Sequence, residues 1–440
     1  MTSAIPFPAT VIGLMSGTSA DGVDAAILRT DGRAVVEAGA SLFMPYDDAL
    51  RADILALMRG VGQEADVARR LTDVHIAAVR ELLKQTKIKA DLVGFHGQTI
   101  RHAPAEGITV QIGDAARMAR ELGIPVVADF RSADVKAGGQ GAPLVPLYHA
   151  ALAHALPKPL MVVNIGGVSN VTWMGEGEAG DASPLAGEAT RLSPTTSPTA
   201  MLVVADNLRS DVVGVSRSGE GASSEADTHH APSPNPLPQG ERASPAAPLS
   251  QHFDNAVAAA LIAFDSGPGN ALLDDWVHKH TGQRYDKDGA IAARGVADDA
   301  VVRAFLAHPF FLADAPKSLD RNQFDGVLDR LSHLSLEDGA ATLTAMTATS
   351  IALSFGAVLA APKQVLITGG GRKNAHLMGL LKACVNAPVD AVEAVGWDGD
   401  MLEAQAFAYL AARSVQGLPL SLPTTTGVRV AMTGGRLFHA

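Results

Sequence analysis

The chain has 440 residues, 47% hydrophobic and 18% charged, which is enough apolar material for a packed globular protein of two or three lobes. Its net charge of -11 and pI near 5.7 leave no basic surface on average and argue against nucleic acid or an anionic membrane as partner. A single cysteine, Cys384, excludes an intramolecular disulfide and a cysteine-cluster metal site.

The segment from Met1 to Thr10 lacks a charged region followed by a long apolar core. No uninterrupted apolar run approaches the roughly 20 residues of a membrane span. The expected compartment is therefore the cytoplasm.

In chain order, Thr10 to Met15, Val23 to Leu28 and Arg33 to Phe43 read as strands separated by Gly and Asp turn signals, which is a meander. Asp47 to Met58 and Glu64 to Lys84 carry apolar residues at helical spacing. Asp91 to Phe95 and Ile124 to Ala128 return to buried-strand composition, and Val145 to Ala155 reads as helical. The pattern then restarts, with strands at Leu160 to Ile165, Val171 to Met174 and Leu261 to Asp265, then helices and a strand at Gln364 to Thr368. Two similar α/β lobes facing a cleft are predicted. The first comprises residues 1–158 plus about 410–440 and the second residues 159–409.

Within the second lobe, residues 175–253 change to clustered Ser, Pro, Thr, Gly and Ala. That composition predicts a disordered insertion, with local strands only at Ala200 to Asn207 and Asp211 to Val215.

Several turns carry residues suited to phosphate chemistry. Gly17, Thr18, Ser19, Ala20, Asp21, Gly22, Val23 and Asp24 occupy the first strand-to-strand turn, where glycines let backbone approach a ligand and hydroxyls bond phosphate oxygens. Asp21 or Asp24 is suited to hold Mg2+ through water. The same turn also fits a plain polar hairpin. Asn164, Gly166 and Gly167 make an equivalent turn in the second meander, again readable as a tight hairpin. No Gly-x-x-x-x-Gly-Lys-Ser/Thr run is present, so a bound nucleotide needs another kind of cradle.

Gly369, Gly370, Gly371 and Asn374 follow a buried strand and open a helix, a geometry suited to a ribose or base. Asp265 ends a predicted strand before a helix; it fits either a positioned base or a turn cap. His96, Gln98, Thr99, Asp129, Arg131 and Asp134 follow first-lobe strands and form a polar set suited to sugar hydroxyls, with Arg131 as a carboxylate clamp.

Taken together, Met15 to Asp24, Gly94 to Thr99, Ala128 to Arg131, Gly138 to Pro143, Asn164 to Gly167, Asp265 to Pro268 and Gly369 to Gly371 resemble the anhydro-N-acetylmuramic acid kinase family. The resemblance covers about Val11 to Ala412, apart from the insertion. It implies the two-lobed actin/hexokinase ATPase fold, with a ribonuclease H-like core and the active site between lobes.

It further implies ATP-dependent, hydrolytic opening of 1,6-anhydro-N-acetylmuramic acid in peptidoglycan recycling, with Gly17 to Asp24 on the ATP phosphates and Asp265 activating water. The partners implied are ATP, Mg2+ and a small sugar, with a homodimer as one option for assembly. Ser266 stands where the family usually has Thr, and Ser169 where it usually has Ala. Two other readings stay open: a kinase acting on an ordinary sugar hydroxyl, and a nucleotide-gated binding module that hydrolyses ATP without phosphorylating a sugar.

Overall fold

Two runs of three antiparallel strands build the protein, and each is extended by strands lying parallel to the first of its run. The computed structural model describes residues 5–17, 19–176, 260–324 and 326–440. The expected local strands between 200 and 215, and nearly all of the expected insertion, lie outside those residues, as does Thr18.

β1 (Ala9–Ser16), β2 (Gly22–Thr30) and β3 (Val36–Pro45) form the first meander, joined by β4 (Leu92–Ala103), β5 (Ile108–Ile112) and β6 (Val126–Ala128). β7 (Leu160–Ile165), β8 (Val168–Met174) and β9 (Leu261–Pro268) form the second, joined by β10 (Gln364–Thr368) and β11 (Val389–Ala391). The strand order β3-β2-β1-β4-β6 in one sheet recurs as β9-β8-β7-β10-β11 in the other. β12 (Arg436–Phe438) closes the far edge of the first sheet against β6. This duplicated order is the two-lobed actin/hexokinase-type ATPase fold that the sequence led us to expect.

The central strands read as nearly unbroken apolar runs because both their faces are covered. Along β1, Ile12 and Leu14 point into a core shared with the helix Glu64–Thr86, while Val11 and Met15 point into a core shared with the helix Leu402–Val415. That second core also takes in Leu160 and Val162 of β7, so it joins the two sheets.

The Leu402–Val415 helix is rich in alanine, which lets it approach the sheet backbone closely. A Cβ added at Gly13 would lie 1.8 Å from the Ala404 carbonyl oxygen, and one at Gly94 would lie 2.2 Å from that of Phe407. The expected lobe boundary near 409–410 falls inside this unbroken helix.

β4 departs from expectation. It was expected to stop at Phe95 but continues to Ala103, so His96, Gln98 and Thr99 lie within a strand. From Gln98 onward it pairs with β5, and the register slips between Thr99 and Arg101, which breaks the alternation that would have marked a strand. The helix Leu336–Ala357 is long and apolar enough to cross a membrane by composition, but it is mostly buried inside the second lobe.

Candidate active site

A cleft of about 760 Å3 lies between the sheets. The β1–β2 turn and β4 line one wall; the β7–β8 turn, β9 and the end of β10 line the other. Gly17, Gly166 and Gly370 all face it. A Cβ built on them would meet nothing nearer than 3.9, 3.7 and 3.7 Å respectively, so their bare backbone leaves room for a ligand rather than for protein packing.

Asp265 sits on β9 opposite Asn170 and is 5% exposed. Its N–H donates to the Lys317 carbonyl at 2.9 Å, and its Oδ2 accepts the Leu319 N–H at 2.8 Å. Burial pushes the carboxyl up to about 7, opposed by the Leu319 hydrogen bond and by the Arg131 guanidinium. A carboxylate poised near neutrality is suited to take a proton.

Arg131 lines the same cleft. Its Nε and Nη2 both donate to His96 Nε2 at 3.1 Å, and Nη1 donates to the Gly141 carbonyl at 2.7 Å. His96 Nδ1 lies 2.8 Å from the Gly97 carbonyl, which assigns the proton to Nδ1 and leaves Nε2 as acceptor. Burial, then the Arg131 charge, holds His96 well below the ordinary imidazole range, so it stays neutral and aims the guanidinium.

Glu403, which sequence reasoning did not single out, lies in the first turn of the Leu402–Val415 helix and lines the cleft. It accepts a hydrogen bond from Asn164 Nδ2 at 3.0 Å. Burial raises its carboxyl, with Arg131 and Asn164 opposing. Asp24 is pushed up to about 7, first by burial and then by repulsion from Glu403, Asp400, Asp21 and Asp398. The run Asp398, Asp400, Glu403 was visible in the sequence, but nothing local showed that it would fold against Asp24.

Among the described residues no three His, Cys, Asp or Glu side chains are arranged to grip a metal directly. Mg2+ keeps several waters and takes one or two carboxylates beside substrate phosphates. Two crowded carboxylates, Asp24 and Glu403, fit that donor set. Asp21 lines the cleft but is exposed and pairs with Arg51 at 3.2 Å.

Other expected site residues are placed elsewhere. Asp134 is fully engaged away from the cleft, accepting from the Gly141 N–H at 2.6 Å, Thr426 Oγ1 at 2.6 Å and Ser421 Oγ. Gln98 is buried; it accepts from Ser16 Oγ and donates through Nε2 to the Gly17 carbonyl at 3.1 Å, so it braces the turn from behind. Asp129 is exposed, with φ 58, and is not among the cleft-lining residues. Ala20 and Val23 are buried in the core beneath the turn.

Asn374 caps the helix Ala375–Cys384 by accepting the Leu377 N–H at 2.9 Å, and Gly371 packs against Ile165. Ser19, Gly22, Thr99, Asn164, Gly167 and Gly369 do line the cleft.

A sequence profile described as anhydro-N-acetylmuramic acid kinase matches residues 9–182 and 253–440. The anhydro-N-acetylmuramic acid kinase of Rhodospirillum rubrum is 44% identical over 434 residues, covering 98% of this chain and 94% of that protein. That of Acidiphilium cryptum is 44% identical over 430 residues, covering 97% of each chain. A solved ROK family glucokinase from Streptomyces griseus, in complex with glucose and AMPPNP, aligns over 92% of this chain and 99% of its own at 11% identity and a TM-score of 0.34, too low to bear on function. Because the profile and the two close relatives span both sheets and the cleft between them, this chain belongs to the anhydro-N-acetylmuramic acid kinase family.

Proposed function

We propose that this chain is an ATP-dependent kinase that hydrolytically opens 1,6-anhydro-N-acetylmuramic acid and phosphorylates O6, yielding N-acetylmuramic acid 6-phosphate and ADP for cell-wall recycling. The observation that carries this reading is the buried Asp265 carboxylate, held by the Leu319 N–H in a cleft whose opposed walls present bare glycine backbone. Asp265 takes a proton from a water whose oxygen attacks the anomeric carbon. The bond from that carbon to O6 breaks, and the O6 electron pair is captured by the γ-phosphorus as ADP leaves.

Because phosphorus receives O6, the departing oxygen does not need the second carboxylic acid of ordinary glycosidases. Gly17 and Gly166 let the phosphates approach the backbone from both lobes. Mg2+, when bound, neutralises phosphate charge, with Asp24 and Glu403 as the residues to hold it through water. Three hydrogen bonds of Arg131 are made inside the protein, which leaves two of its five donors for a substrate carboxylate.

The plain-hairpin reading of the two turns is tested by Gly17→Ala and Gly166→Ala. Each methyl would meet its nearest neighbour only at ordinary van der Waals distance, 3.9 and 3.7 Å, so the thermal midpoint should stay at the wild-type value. ATP binding should weaken by about tenfold or more, equivalent to about 1.4 kcal/mol. Wild-type ATP affinity in both variants would make the turns ordinary hairpins. Sugar-dependent ADP release in the unmodified enzyme separates a kinase from a nucleotide-gated binding module, which would release ADP equally without sugar.

A further inference from the structure

We propose that Lys317 is a positioning residue for Asp265, acting through the three-residue strap Lys317-Ser318-Leu319. The inference rests on the assignment of Asp265 as the base.

The strap lies outside any helix or strand, yet it grips Asp265 at two points. Its Lys317 carbonyl accepts the Asp265 N–H at 2.9 Å, and its Leu319 N–H donates to Asp265 Oδ2 at 2.8 Å. A segment without a ladder or helix of its own needs anchors to hold such a geometry.

Lys317 supplies one anchor. Its Nζ donates to the Phe310 carbonyl at 2.8 Å and to the Ala313 carbonyl at 3.0 Å, capping the short helix Pro309–Leu312, and lies 4.7 Å from the centre of the Phe310 ring. Leu319 supplies a second, its side chain buried in a core cluster with Phe310 and Phe324. Between them, Ser318 Oγ donates to Gln140 Oε1 at 2.9 Å, reaching across to the first lobe. The strap therefore ties the base both to its own lobe and to the opposing one.

The Leu319 N–H stabilises the charged form of Asp265 against burial. If Lys317 no longer staples the strap, that N–H drifts from the carboxylate, and the base ionises only at higher pH. The other charged group facing Asp265 is Arg131, from the first lobe, and the group facing Lys317 is Asp314. Neither is altered by changing Lys317.

The test is the pH profile of sugar-dependent ADP release in full-length Lys317→Met, Lys317→Gln and Lys317→Arg. In Lys317→Met, the kcat/KM rise should move up by about half to one pH unit. At pH 7 the rate should fall about two- to fivefold, and by pH 9 it should return to within about twofold of wild type. Lys317→Gln keeps a donor without the charge, so partial recovery there assigns the effect to the staple rather than to through-space charge. Lys317→Arg should recover most of the shift.

An unchanged profile, or a loss equal at all pH values, would overturn the proposal. If Lys317→Met does not fold, Lys317→Ala, which also lacks the donor, is read on the same scale, and a wild-type profile there would overturn it. Asp265→Asn run in parallel separates the two levels. Retained turnover in that variant defeats the assignment of the base, whereas lost turnover beside an unshifted Lys317→Met profile defeats only the strap.

Discussion

Asp265→Asn should lose about 10^2- to 10^4-fold in turnover, the range expected for removing a general base, while gaining stability at neutral and alkaline pH. Asn keeps the shape and an oxygen for the Leu319 N–H but cannot take a proton.

The stability change follows from linkage. The ordinary carboxyl value of 3.8 is raised by burial to about 7 in folded Asp265, so the folded state holds its proton more tightly than the unfolded state. Its favourable contribution is complete below pH about 4, is lost as pH rises to about 7, and leaves a buried charge above that. A difference of about 3 units corresponds to a ceiling of about 4 kcal/mol. The Asn variant carries no such charge, so its denaturation midpoint should exceed wild type at pH 8 and match it near pH 4. In wild-type enzyme, kcat/KM should rise through pH 7 as the carboxylate ionises. Turnover within about tenfold of wild type in Asp265→Asn would remove this residue from the chemistry.

Gly13→Ala should destabilise the fold by more than about 3 kcal/mol. The new Cβ would sit 1.8 Å from the Ala404 carbonyl oxygen and 2.6 Å from the Ala408 nitrogen. Both are helix backbone, so no side chain can rotate away, and either β1 or the Leu402–Val415 helix has to move. That helix carries Glu403 and β1 leads into Gly17, so two cleft-lining residues would shift with them. Denaturant unfolding beside Gly17→Ala checks this: two glycines four residues apart on one segment should behave oppositely. A wild-type midpoint for Gly13→Ala would contradict the packing described here.

Those two glycines also show what can and cannot be read from a sequence. Repeated short strands around glycine turns made the duplicated meander legible, and with it Gly17, Gly166 and Asp265. Gly13 looks the same on paper, but its role depends on a helix that arrives almost four hundred residues later. Gln98 and Asp134 looked like sugar ligands because they are polar residues near strand ends. Their partners, Ser16, Ser421 and Thr426, lie 82, 287 and 292 residues away in the chain, and local pattern holds no trace of such pairings. Glu403 was missed for the converse reason: an acidic residue opening a helix is ordinary until burial beside Asp24 and Asn164 makes it costly.

Water attack coupled to phosphoryl capture leaves its mark in the product, read by mass spectrometry after reaction of ATP, Mg2+ and 1,6-anhydro-N-acetylmuramic acid in oxygen-18 water. Coupled attack and capture should give a sugar 6-phosphate labelled once at the anomeric oxygen and absent with Asp265→Asn. Unlabelled phosphosugar, or ADP release without any sugar phosphate, would contradict it.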